Sequence, residues 1–286
     1  MHTSALIDTH THFDVADFDP DRLSVARQAK QNGVQALLLI GFLAERFDNL
    51  ISVQQQLNLQ NLKSLEVPRV LLAPGLHPFY IRQHHPDHLH QLEQFMKTHP
   101  CVAIGEIGLD TFTAEMKQPE MFDRQQQFFS AQLELAQQHD LPVLLHIRRA
   151  HADTLAILKK HRFKNGGIAH AFGGGIEEAK AFIKLGFKLG VTGQVTNPNA
   201  KRLHQVIREV GGAHLVIETD CPDMTPLCCQ VSTEHRTRNT PANLPFVLDS
   251  LAEYLNQEKH TLARQIWQNS CTALNLNWTY PDADLN

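Results

Sequence analysis

Cysteine is scarce in this 286-residue chain: Cys101, Cys221, Cys228, Cys229 and Cys271 are odd in number and lack C-x-x-C spacing. That pattern excludes a disulfide framework and a structural zinc knuckle, and it predicts reduced thiols. No apolar run is long enough to span a bilayer, so a membrane-embedded protein is excluded. Charge of one sign is missing too. A net charge of −4 argues against coating nucleic acid by electrostatics alone, while leaving room for an enzyme that grips a few phosphates through metals and local arginines. The N-terminus, Met1-His2-Thr3-Ser4, lacks the basic and long apolar regions of a secretory signal, so a cytoplasmic protein is expected. No glycine-rich phosphate loop follows the first strand, and no repeat, low-complexity stretch or second domain is visible. One domain over 1–286 is expected.

What is present is a soluble globular composition, 42% hydrophobic and 20% charged, and a recurrent pattern of apolar runs ending in metal-binding residue types. The first run, Ala5-Leu6-Ile7, leads into Asp8-Thr9-His10-Thr11-His12. Side chains alternate along a strand, so His10 and His12 share a face about 7 Å apart, a spacing that suits a metal-ligand pair. Solvated strand-end histidines are the plainer reading, and the later strands argue against it.

A helix from Asp19-Pro20 through Lys30 stops at Asn32-Gly33 before the strand Val34 to Ile40, giving a βαβ unit. A helix over Glu45 to Gln60 precedes the strand Arg69 to Pro74, which ends in Gly75-Leu76-His77-Pro78. Pro86 to Thr98 reads as a helix, followed by the strand Val102 to Glu106. Pro119 to Gln138 is a long amphipathic helix with Phe122, Phe129, Leu133 and Ala136 on its core side. Leu141 to His146 and Gly167 to His170 are strands ending in histidine, separated by a helix near Asp153 to His161. Phe187 to Val191 and His214 to Asp220 supply the seventh and eighth strands. Helices over Pro241 to Leu255 and Thr261 to Leu274 form the tail. Eight strands alternating with helices, without a long linker, predict an α/β (β/α)8 TIM-like barrel with additional C-terminal helices.

In such a barrel the strand ends converge, so His10, His12, Glu106, His146, His170 and Asp220 would line one pocket. These are too many groups for one catalytic zinc and suit two divalent ions, with Glu106 as the bridging candidate. Asp220 can bind one ion and orient or deprotonate a nucleophile.

The ordered motifs Ile7-Asp8-Thr9-His10-Thr11-His12-Phe13-Asp14, Gly75-Leu76-His77-Pro78, Ile104-Gly105-Glu106-Ile107-Gly108-Leu109-Asp110, Leu141-Pro142-Val143 with His146 and Arg148, and Glu218-Thr219-Asp220 run along nearly the whole chain. On these residues the sequence resembles the TatD family of metal-dependent deoxyribonucleases, within the amidohydrolase-like barrels. The resemblance implies that His10, His12 and Asp220 hold one ion and that His146 and His170 hold the other, with Glu106 shared. It also implies magnesium, manganese or zinc as cofactor and DNA, as a single strand or 3′ end, as substrate, cleaved by 3′–5′ exonucleolytic phosphodiester hydrolysis. Catalysis would rest on Glu106 and Asp220, with His77 and Arg148 near the substrate phosphates; arginine suits paired hydrogen bonds to phosphate oxygens.

The chain departs from the family pattern at His170-Ala171-Phe172-Gly173-Gly174-Gly175, where a hydroxyl residue is missing, at Cys221 in place of alanine, and at Asn239-Thr240-Pro241-Ala242. Cys221 reads as a buried small residue, with a soft-metal or redox thiol as the alternative. The tract His84-His85-Pro86-Asp87-His88-Leu89-His90 reads as an exposed helix start. Cys228-Cys229 is expected in an active-site loop without a disulfide. Arg149, Arg236 and Arg238 read as surface or ion-pair residues, the last two with an alternative place in a DNA groove. A metal-dependent amidohydrolase or esterase, such as an aminoacyl-tRNA deacylase, is the competing enzyme class. It often bridges its ions with a carboxylated lysine, and here Glu106 stands in that role. A binding protein on a barrel that has lost catalysis is the non-enzymatic alternative. No obligate protein partner is inferred.

Overall fold

The computed structural model describes residues 4–232 and 235–281; the N-terminal reading above rests largely on Met1, His2 and Thr3, outside the described residues. Eight parallel strands alternate with helices among the described residues. The first three, β1 (Leu6–Thr11), β2 (Val34–Ile40) and β3 (Arg69–Ala73), pair in that order. The other five are β4 (Ile104–Asp110), β5 (Val143–Arg148), β6 (Gly167–Ala169), β7 (Phe187–Val191) and β8 (Leu215–Ile217), again paired in sequence order.

Pairs of backbone hydrogen bonds close the two seams. Between β3 and β4, Val102 N–H donates to Leu72 O at 3.0 Å and Gly105 N–H to Pro74 O at 3.0 Å. Between β8 and β1, Asp220 N–H donates to His10 O and His12 N–H to Cys221 O, both at 2.9 Å. The sheet therefore closes as the alternation predicts, and the second seam ties the two ends that carry His10, His12 and Asp220. At the first seam only glycine fits: a Cβ on Gly75 would lie 2.5 Å from the carbonyl carbon of Gly105.

Helices α1 (Arg22–Gln31), α2 (Phe47–Ser64), α3 (Pro86–Thr98), α4 (Pro119–Gln138), α5 (His151–Lys160), α6 (Ile176–Lys184) and α7 (Lys201–Val210) fill the crossovers, and α8 (Leu244–Leu255) and α9 (Lys259–Ala273) follow β8. The strands read as continuous apolar runs because both their faces are covered: Leu37, Leu38, Leu39 and Ile40 of β2 are all fully buried. No helix among the described residues is long and apolar enough to cross a membrane.

Several expectations need correction. The fourth strand runs Ile104–Asp110 and the fifth Val143–Arg148, so Glu106 and His146 sit inside their strands rather than at the ends, and the eighth stops at Ile217, short of Asp220. The histidine tract is not a solvated helix start throughout: His84 is fully buried and His88 nearly so, whereas His85 and His90 are exposed. His84 packs beside Phe128 of α4, with ring centroids 5.5 Å apart, and its Nε2 lies 2.9 Å from the carbonyl of His77. That carbonyl and the α4 face give an otherwise costly buried imidazole both a partner and apolar contacts.

Candidate active site

The strand ends carry a cluster of imidazoles around one carboxylate. Glu106, 2% exposed, is aimed inward from β4 and places Oε2 3.1 Å from His10 Nε2 and 3.6 Å from His12 Nε2. Its other oxygen, Oε1, lies 2.7 Å from His146 Nδ1 and 3.4 Å from His77 Nε2. Asp220 Oδ1 is 3.7 Å from Nε2 of both His10 and His12, while Oδ2 is 3.5 Å from His170 Nε2. His10 and His170 stack with centroids 3.5 Å apart and planes 18° from parallel. Asp220 adopts a left-handed backbone (φ 53°), which aspartate tolerates better than most residues and which turns its carboxylate back over the barrel.

All six predicted ligands are thus brought together, with His10 fully buried beneath the others. His12, His77, Glu106, His146, Arg148, His170 and Asp220 line one cavity of about 920 Å³. Among the described residues three ligand-competent groupings emerge: His10, His12 and Asp220; His10, Glu106 and His170; and His77, Glu106 and His146. His77, expected beside the phosphates, therefore lies within ligand reach of the Glu106 and His146 pair.

The donor set fits divalent cations. Nδ1 of both His10 and His12 is buried without a hydrogen-bonded partner, and no lysine or arginine is ion-paired with Glu106 or Asp220 among the described residues. Burial alone would raise the Glu106 carboxyl, but the surrounding imidazoles, His77 and His10 foremost, hold it well below the usual carboxylate range. Burial and the neighbouring His170 push His10 toward its neutral, metal-binding form. Against the opposing effect of burial, the neighbouring carboxylates raise His12, His146 and His170 toward their charged forms, and a divalent ion at these nitrogens would take the place of those protons.

Outer partners fix the rings. His170 Nδ1 lies 2.8 Å from Glu218 Oε1, and His146 Nε2 lies 3.0 Å from Asp110 Oδ2. Roles for Glu218 and Asp110 did not emerge from the sequence, although both stand in the quoted motifs. Glu106, Gly108 and Asp110 alternate onto one face of β4, so period two would have found Asp110 once the strand was extended. Gly190 carried no such signal, yet a Cβ there would lie 2.1 Å from Glu218 Oε1.

Arg148 and Arg149 both line the cavity, with guanidinium carbons 3.5 and 4.7 Å from the centre of the Phe112 ring. Arg236 also lines it but is paired with Asp223 at 2.9 Å. Arg238 makes two contacts with Asp21, at 3.0 and 2.7 Å, and lies over Phe18, so it braces a loop. The five cysteines are free. Cys221 is fully buried in the apolar core, and burial raises its thiol well above the ordinary value.

A (β/α)8 barrel whose C-terminal mouth gathers five histidines around Glu106 and Asp220 defines the class of metal-dependent barrel hydrolases. Within that class, residues 7–275 match the family described as TatD related DNase, and the chain belongs to that family. It is 35% identical over 272 residues to the uncharacterized metal-dependent hydrolase YjjV of Escherichia coli (strain K12), covering 94% of this chain and 98% of that protein. The crystal structure of the same YjjV superposes with a TM-score of 0.85, covering 96% of this chain and all of that one, at 32% identity in the structural alignment. The 3′-5′ ssDNA/RNA exonuclease TatD of Pantoea sp. (strain At-9b) is 30% identical, covering 93% of this chain and 97% of that protein.

Proposed function

We propose that this protein is a two-metal phosphodiesterase that shortens single-stranded DNA from its 3′ end. The observation that carries the reading is the position of Glu106: one carboxylate reaches His10 and His12 through Oε2 and His146 and His77 through Oε1, as a group shared by two ions must. His10, His12 and Asp220 would hold a first ion and His146 and His170 a second, with Glu106 available to both; His77 stands within the same reach of Glu106 and His146. When bound, magnesium, manganese or zinc would supply Lewis acidity and a water nucleophile at neutral pH. Asp220, whose side chain is 13% exposed, accepts the proton of the attacking water as its oxygen bonds to phosphorus; the P–O3′ bond breaks, the departing 3′ oxygen takes up a proton from Asp220 or solvent, and a nucleoside 5′-monophosphate is released. Arg148, on the cavity wall and free of any carboxylate partner among the described residues, holds a phosphate beside the reacting one.

The alternative amidohydrolase chemistry gains no support from the wall of the cavity, because no lysine lines it among the described residues. The family match and the exonuclease relative favour the phosphodiester. The test is metal-reconstituted turnover on end-labelled single-stranded DNA, an aminoacyl-tRNA ester and a simple phosphodiester, beside Glu106→Ala and Asp220→Asn. Stepwise 3′ shortening, lost in both variants, is expected. Metal-dependent ester hydrolysis without DNA cleavage would move the protein to the deacylase class, and no metal-dependent turnover on any substrate would favour a binding protein.

A further inference from the structure

One wall of the cavity is aromatic. Phe79 and Tyr80 stand on a short turn, Pro78–Tyr80, directly after His77, and Phe79 is 47% exposed. Its ring meets Tyr80 edge-on at 5.4 Å; Tyr80 packs on Phe42 at 5.4 Å and meets His77 at 5.9 Å, and Phe42 meets His12 at 5.5 Å. The chain of rings therefore leads from solvent to two residues of the metal cluster.

The turn is held by the ring and backbone of His77. Phe79 N–H donates to His77 Nδ1 at 2.9 Å, Tyr80 N–H to His77 O at 3.1 Å, and His77 N–H to Phe42 O at 3.1 Å. An exposed phenyl ring gains nothing for folding, so a half-exposed one fixed in place beside a reactive centre calls for a ligand with a flat apolar face. Arg148 and Arg149, also on the cavity wall, are stacked on Phe112 and have no carboxylate partner among the described residues. An aromatic ledge and guanidinium groups without a direct salt bridge, flanking one metal cluster, match a ligand that joins a planar base to phosphates. A small phosphodiester has no need of the ledge.

Resting on the nuclease reading above, we infer that Phe79 and Tyr80, backed by Phe42, form a stacking subsite for the 3′-terminal nucleobase. Stacking there requires the base to leave any duplex, so the ledge selects unpaired ends and sets the scissile phosphate against Glu106 and Asp220. It reads a π-face and not a hydrogen-bonding edge, so all four bases are accepted.

The experiment compares kcat/KM on two single-stranded oligonucleotides that differ only in the 3′-terminal residue, one bearing a base and the other an abasic tetrahydrofuran. The wild-type protein should prefer the base-bearing end about tenfold. In Phe79→Ala and Tyr80→Ala that ratio should fall toward one, while Tyr80→Phe and the remote exposed Phe246→Ala should retain it. Equal rates of the two substrates with the wild-type protein, or an unchanged ratio in both alanine variants, overturn the ledge and leave the nuclease intact. Absence of any cleavage at nucleic-acid ends, with ester hydrolysis retained, overturns the nuclease reading and the ledge with it.

Discussion

Glu218 holds Oε1 2.8 Å from Nδ1 of His170, and the carboxylate is itself held from two further sides. The same oxygen accepts Ala171 N–H at 2.7 Å, and Oε2 accepts the Thr9 hydroxyl at 3.1 Å. A carboxylate behind an imidazole fixes the ring and makes its outward nitrogen more basic. Glu218→Gln should therefore weaken divalent-metal affinity by about 10- to 100-fold, read by calorimetric titration of the metal-free protein. Gly190→Ala should do the same without touching a polar group, because its methyl would occupy the Glu218 carboxylate position. Wild-type affinity in both variants would remove Glu218 from the site's design.

Metal removal should also be legible in stability. Ions that bind only the folded chain stabilise it by mass action, about 2.7 kcal/mol at a hundredfold excess over the dissociation constant. For a domain of this size that is worth a few degrees in Tm. Chelation should lower Tm by that amount in the wild-type protein and by much less in Glu106→Gln, which lacks the shared carboxylate. A chelator-insensitive wild type would speak against resident ions.

Much of this was legible because the strongest signals are local. Proline at the first helical position set the starts of α3 and α4, and both helices have the predicted limits. The barrel followed from the alternation of strands and helices, and the convergence of the six proposed ligands from the polar residues that close most of the apolar runs. What was not legible depends on tertiary contact. His84 looks solvated among His85, Asp87 and His90, and is buried only because α4 brings Phe128 and Arg124 to it. Glu218 reads as part of a motif, and its role appears only once β7 passes Gly190 beside it.

The buried His84 has a pH signature. Burial pushes its imidazole down to about 4 from the ordinary 6.5, so the folded state disfavours the proton that the unfolded chain binds across that window. Stability from this group is fully present above pH 6.5 and is lost as pH falls toward 4. His77 is lowered in the same direction, so the wild-type slope has more than one source. His84→Gln, which keeps a neutral donor for the His77 carbonyl, should show a smaller loss of stability between pH 7.5 and pH 5 in denaturant unfolding. Identical losses in the two proteins would mean that His84 is accessible to protons when folded.

Cys221 illustrates burial deciding chemistry. Its side chain has no solvent exposure, and its thiol is held in the protonated form that peroxide attacks slowly. Cys221→Ala and the wild-type protein should lose activity in hydrogen peroxide at the same rate, measured with metal occupancy held constant. Protection by the alanine variant would restore the redox role.

Asp110 is the remaining outer partner, and it serves two sides of the cavity. Oδ2 lies 3.0 Å from His146 Nε2, and Oδ1 accepts the N–H of Phe112 at 2.7 Å, the ring over which Arg148 is stacked. One carboxylate thus sets both a proposed ligand and the platform of the proposed phosphate-binding arginine. Asp110→Asn keeps the shape and removes the charge, so Phe112 should stay in place while His146 loses the anion that favours its charged form. Asp110→Ala removes both. The expected result is a drop of about 10-fold or more in metal affinity for either variant, with an added rise in KM for the oligonucleotide in Asp110→Ala alone. Metal titration beside steady-state kinetics separates the two effects. Equal KM in Asp110→Ala and Asp110→Asn would show that the Phe112 platform stands without Asp110.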